Sequence, residues 1–136
     1  IYPFWVNMWN LSLVKSKVLN NNQDIKLSEI FKYHEKISVK VDKGWAARHV
    51  GEILLNIDDQ HFSEAEHWVT KAIEADKMNG TMWSLAGDYN LYAEMSKRKG
   101  DNSKATENMG KAIEIFGECG ADGWVEKTQK KLAELS

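Results

Sequence analysis

Four histidines, a single cysteine and scattered carboxylates are the side chains of this 136-residue chain that could do chemistry. Their spacing argues against it. His61 and His67 are six residues apart, which places them on different faces of a helix, whereas a helical zinc site needs an i, i+4 pair. With His34 and His49 they read as isolated surface or half-buried side chains. Asp58, Asp59, Glu64 and Glu66 resemble a carboxylate cluster, but a loop followed by a capped first turn accounts for them, since the helix dipole favours acids there. They lack the spacing of an EF-hand. Cys119 sits between Gly117 and Gly120 with nothing basic around it to activate a thiolate, so it reads as a semi-buried structural thiol. Lys97, Arg98 and Lys99 form a charge run at a helix C-terminus, where the dipole favours cations. No glycine-rich phosphate loop with a following lysine is present, and no nucleophile–base pair stands out. The residues therefore predict no catalytic centre, no metal and no cofactor, and a chain that is not an enzyme.

Composition narrows the classes further. The chain is 43% hydrophobic and 28% charged, with 18 basic and 20 acidic side chains, an ordinary globular balance. A formal charge of −2 offers no basic face for nucleic acid. One cysteine excludes an intrachain disulfide and a cysteine zinc cage, and fits a reducing cytoplasm. The only proline is Pro3, so the strongest helix breaker is missing from the rest of the chain. That predicts an all-α protein. The chain opens IYPFWVNMWNLSLV without an initiating Met, and reads as the cut edge of a longer protein. No positive segment precedes the apolar run, as a signal peptide would require. The run is broken by Asn7 and Asn10 and is shorter than the roughly 20 residues a bilayer needs. No membrane association is expected.

The elements that position these residues follow from periodicity. A first helix runs from Pro3 to about Asn20 and is apolar on nearly every side, which predicts burial all round. NNNQD, residues 20–24, is a turn. A second helix is expected from Leu27 to Val41, with Ile30, Phe31, His34, Ile37 and Val41 at 3–4 spacing, broken by Lys43 and Gly44. A third runs from Trp45 to Ile57. Ser63 with Glu66 forms a capping box for a fourth, ending near Lys77 at the Asn79–Gly80 stop. A fifth covers Thr81 to Lys99. Asp101 can cap a sixth, which ends in the run from Gly117 to Gly123. A seventh goes from Trp124 to Leu135.

Two of these helices are copies. Ala65, Val69, Ala72, Ile73 and Glu74 fall on Ala105, Met109, Ala112, Ile113 and Glu114 at a constant offset of 40 (105 − 65). A fixed period of that size marks a helical repeat array. Ala, apolar four later and Ala three after that share one helix face, and the small ends admit a close neighbour. The expected architecture is an antiparallel helix-pair array forming one domain over 1–136. Its pairs are 3–41, 44–77 and 81–117, and a capping helix covers 123–135. Trp45, Trp83 and Trp124 recur beside helix starts, so packing between helices accounts for them better than a base-stacking platform does.

The second-helix pattern, with the run from Trp83 to Asn90 before it, resembles the tetratricopeptide repeat. That family's first helix reads W-x2-L-G-x2-Y. Here Trp83 and Gly87 match, Ala86 replaces Leu, and the aromatic comes one place early at Tyr89. The family period is near 34, and its proline after the second helix is replaced by Gly80 and Gly120. The resemblance covers about Lys43 to Leu135. The runs GWAARHVGEILLNIDDQ, DYNLYAEMSKRKGD and KAIEIFGECGADGWVEK are also similar to the C-terminal repeat region of bacterial signalling proteins. Those proteins join an adenylate/guanylate cyclase or kinase module to an AAA-type ATPase. By that resemblance the chain is the tail of such a protein or a detached relative.

The resemblance implies a concave face lined by the first helices of each pair. It would carry Thr81, Ser84, Asp88, Leu91 and Tyr92, with Lys43 and Ala46 one unit earlier. The apolar first helix, with Phe4, Trp5, Met8 and Trp9, is a second surface. It is expected to be covered by upstream repeats, by self-association as a homodimer, or by packing back on helices two and three. The function these readings imply is a non-catalytic protein–protein interaction or scaffold module that takes a protein or peptide partner. The alternative is a regulatory sensor tail that binds a partner or small ligand and biases an attached cyclase or ATPase.

Overall fold

A computed structural model of the chain describes residues 3–22 and 24–136, with side chains from Val6 onward. The described residues contain seven α-helices and no strand: α1 Pro3–Leu19, α2 Leu27–Lys36, α3 Lys40–Ile57, α4 Phe62–Asn79, α5 Met82–Arg98, α6 Asn102–Glu118 and α7 Asp122–Ala133. They form two compact units, Ile1–Asn79 and Gly80–Ser136.

The first unit is built on the α3–α4 hairpin. Its direction is written in the cross-helix neighbours. Asn79 Nδ2 donates to the Lys40 carbonyl at 2.8 Å, Gly44 faces Asp76, and Gly51 faces Val69 and Ala65. As the number falls on α4 it rises on α3, so the helices are antiparallel. A methyl added at Gly51 would lie 2.7 Å from Val69 Cγ2 and 3.2 Å from the Ala65 carbonyl oxygen. The two backbones therefore approach through Gly51 on one side and Ala65 on the other. Ile53, Leu54 and Val50 of α3 and Val69 and Ala72 of α4 are sealed in this core, with Leu11, Ile30 and Ile37 from the preceding segments. α1 packs on both α2 and α3.

Gly44 corrects the expected helix boundaries. It does not break a helix; it lies inside α3, and the chain breaks earlier, at residues 37–39. Ile37 and Val39 are extended there, with ψ of 103° and 120°. β-branched residues accept that conformation readily. Ile37 turns its side chain into the core, where it is fully buried. Gly44 costs about 1 kcal/mol of helix propensity, but a Cβ there would collide with the Asp76 carboxylate, so its bareness is used by packing. The start of α4 also differs. Asp58, extended at φ −166°, accepts from the Gln60 and His61 amides and caps a 3-10 turn over Asp59–His61. Ser63 then lies inside the first turn of α4 and is exposed.

The second unit repeats the hairpin. Trp83 meets Phe116, Tyr89 meets Lys111 and Tyr92 meets Lys104, again with numbers running in opposite directions. α7 packs on α6. The 40-residue copy survives as burial: Ala65, Val69 and Ala72 are sealed on α4, as Ala105, Met109 and Ala112 are on α6. Spacing of the stops explains the period. Gly80, Gly100 and Gly120, each 20 residues apart, have φ of 67°, 80° and 68°, the left-handed region that favours glycine. After Gly100 and Gly120 the ends close alike. The Asp101 amide donates to the Ser96 carbonyl at 2.9 Å, and the Ala121 amide donates to that of Phe116 at 2.9 Å. These are Schellman closures.

Candidate functional site

α1 is where the chain departs most from a sealed core. Asn7, Leu11 and Val18, at spacings of four and seven, are buried against α2 and α3. Val6, Trp9 and Leu13, at i, i+3 and i+7, form a row on another side of the helix. Trp9 is 75% exposed, Val6 54% and Leu13 47%. The helix is thus covered by packing back on α2 and α3, one of the expected arrangements, but on one side only. Burial all round is not found. Of the expected patch, Trp9 stands on the open row and Met8 is half-buried at its flank. The side chains of Phe4 and Trp5 lie outside the described residues. Sequence reading missed Val6 and Leu13 because a helix apolar on every side gives no face contrast. Lys15 anchors the helix's later turns through an ion pair to Glu52 of α3 at 2.7 Å.

The expected concave row divides between the two units. In the first, Lys43 is half-exposed, but Ala46 is fully buried. In the second, Thr81, Ser84, Leu91 and Tyr92 are half-exposed, and Asp88 is fully buried. Ala46 and Asp88 are therefore corrections: neither presents surface to a partner. The error has a physical source. Ala46, Val50 and Ile53 lie at i, i+4 and i+7 on one face of α3 and are all sealed, so that spacing, and not equivalence to the Trp83 run, decides where Ala46 points.

Histidines and tryptophans make ring contacts with each other. His34 of α2 meets the Trp68 edge at 4.6 Å, Phe31 stacks on Trp68 at 5.9 Å, and Lys71 sits over that ring at 4.7 Å. Burial, then the Lys43 and Lys71 charges, push His34 down to about 4. His49 is stacked on Trp45, with Nδ1 donating to the Trp45 carbonyl at 3.0 Å. A carbonyl only accepts, so the neutral tautomer carries its proton on Nδ1. Burial and the charges of Lys15 and Arg48 push His49 down to about 3. His61 pairs with Asp58 at 2.7 Å in the exposed turn, holding the Asp58 carboxyl below its ordinary range. In the second unit Trp83, Phe116 and Trp124 form one cluster, with centroids 5.3, 5.9 and 5.5 Å apart. This is the packing role expected of Trp83 and Trp124. Cys119 is exposed at the end of α6, not semi-buried. Among the described residues no group of three or more His, Cys, Asp or Glu is gathered to hold a metal. No helix among them is long and apolar enough to cross a membrane.

One groove of about 590 Å3 opens between the first turn of α3 and the last turns of α4. Lys40, Lys43, Lys71 and Glu74 line it with Ala75 and Met78. No family model, curated protein or solved structure matches the chain.

Proposed function

We propose that this chain is a non-catalytic protein-interaction module, a helical repeat of tetratricopeptide-like pairs that meets other proteins through helix faces. The observation that carries the reading is the open row Val6, Trp9 and Leu13 on α1. Three large apolar side chains at one helical spacing, on a helix whose other side is already packed, make a contiguous surface of the kind that marks interaction sites. The 40-residue copy of the buried stripe supports the repeat reading. The same row is suited to a second copy of the chain. Pro3 to Val14 carries no charged residue, so two α1 helices can approach without like-charge repulsion. Sedimentation velocity across a dilution series tests it. Concentration-dependent association that disappears in Trp9→Ser is the expected result. A chain that stays monomeric throughout, with Trp9→Ser indistinguishable from it, counts against α1 as a self-interface.

A further inference from the structure

We propose that the groove between the start of α3 and the end of α4 receives an acidic peptide, a segment of a partner protein with carboxylates flanking an apolar side chain. The assignment rests on the reading of the chain as an interaction module and names the chemistry of one partner. Charge is the first argument. Lys40, Lys43 and Lys71 converge on the groove from two helices, and none of them is in an ion pair among the described residues. The carboxylate in the lining, Glu74, leaves an excess of two positive charges (3 − 1). Some exposed cations are matched one helical turn away, Arg98 with Glu94, Lys111 with Glu107 and Lys130 with Glu126; others, such as Lys32 and Lys131, stand singly on the surface among the described residues. What this groove adds is that three such lysines, from two helices, line a single cavity. Lys43 and Lys71 already act together at a distance, since both press on His34. The start of α3 adds the positive end of its dipole, uncapped by a side chain at Val39 and partly offset by Asp42 in the first turn.

Apolar surface is the second argument. Met78 is 87% exposed beside Ala75. A flexible thioether is suited to packing against a variable apolar side chain. Lys71 is steadied by lying over Trp68, which reduces the rotamer freedom lost on binding. A nucleic acid fits less well. Its backbone needs a run of cations along an extended face, whereas this groove is short, holds Glu74 and is floored by apolar atoms.

The test is a titration of the full isotope-labelled chain, followed by amide NMR. The probe is a peptide of glutamates flanking two leucines, and the controls are polyglutamate and a single-stranded oligonucleotide of equal charge. Expected are shifts confined to residues 40–44 and 71–79. The affinity should fall about tenfold in Lys43→Glu/Lys71→Glu and should weaken with salt. Polyglutamate should bind more weakly than the leucine-bearing peptide, and Met78→Ser should remove that difference. Lys71 and Met78 are exposed and Lys43 is half-exposed, so thermal melts should stay close to that of the parent chain. Absence of binding, or binding that Lys43→Glu/Lys71→Glu leaves unchanged, overturns the proposal. Tighter binding of the oligonucleotide would overturn it in favour of nucleic acid. Shifts centred on Val6, Trp9 and Leu13 would overturn the groove while keeping the interaction-module reading. The α1 self-interface fails separately, in sedimentation.

Discussion

Gly51 of α3 lies directly against Val69 of α4, so close that a single added methyl would stand 2.7 Å from Val69 Cγ2. The same methyl would press on the Ala65 carbonyl oxygen at 3.2 Å, and backbone cannot step aside as a side-chain tip can. Gly51→Ala should therefore push the hairpin apart and cost about 1–3 kcal/mol, in the range of overpacked cores. Gly110 is the control. It is exposed in mid-α6 with nothing within 4 Å of an added Cβ. Gly110→Ala should stabilise by up to about 1 kcal/mol through helix propensity alone. Urea denaturation of both variants checks the opposite signs, and equal midpoints would refute the close-approach argument.

What was legible in the sequence follows from where the physics is local. Asn102–Glu118 and its earlier copy were readable because Ala, an apolar residue and Ala at fixed spacing record a burial face directly. The ends of α5 and α6 were readable because a left-handed residue after a helix favours glycine. The break between α2 and α3 was not readable. Gly44 looks like a stop in any local reading, whereas in the fold it lies inside α3 with its bare Cα against the Asp76 carboxylate, 32 residues away (76 − 44). The open side of α1 was hidden for the converse reason: the helix is apolar on every side, and which side stays open depends on where α2 and α3 settle.

The helix stops give a second prediction. Gly100 has φ of 80° with open space around its Cα, so any penalty for a side chain there is conformational. Gly100→Ala should cost about 1–2 kcal/mol. Gly100→Asn should cost less, because asparagine tolerates the left-handed region. Thermal melts rank the three. If Gly100→Ala melted with the parent, the α5 end would not hold that conformation in solution.

Stability should fall in mild acid. Unfolded, His34 and His49 titrate near 6.5; folded, they are held at about 4 and about 3. Below pH 6.5 the unfolded chain binds protons that the folded chain refuses. The contribution is thus fully present above the unfolded value and is lost as pH falls through the window down to the folded values. Each histidine can steepen the loss by up to about 1.4 kcal/mol per pH unit; His34, only half-buried, should give less. Denaturation midpoints from pH 7 to pH 4 measure the slope. His49→Gln should flatten it, and an unchanged slope in that variant would assign the acid sensitivity elsewhere.

The two sides of α1 provide the sharpest contrast. Leu11 and Leu13 are two residues apart, the same residue type, on the same helix. Leu11 is fully buried against α2 and α3, whereas Leu13 is 47% exposed beside Trp9. Leu11→Ala removes sealed volume and should cost about 2–5 kcal/mol. Leu13→Ala leaves the packing in place and should move stability by less than about 0.5 kcal/mol. Association should follow the reverse order. Loss of Leu13 shortens the open row and should weaken self-association while the fold stays intact. Leu11→Ala should show its effect first as a lower denaturation midpoint. Measuring both properties on both variants separates a row that is exposed for use from one that merely completes the fold. If Leu13→Ala destabilised the chain as much as Leu11→Ala, both sides of α1 would be core, and the surface on which the interaction reading rests would not exist.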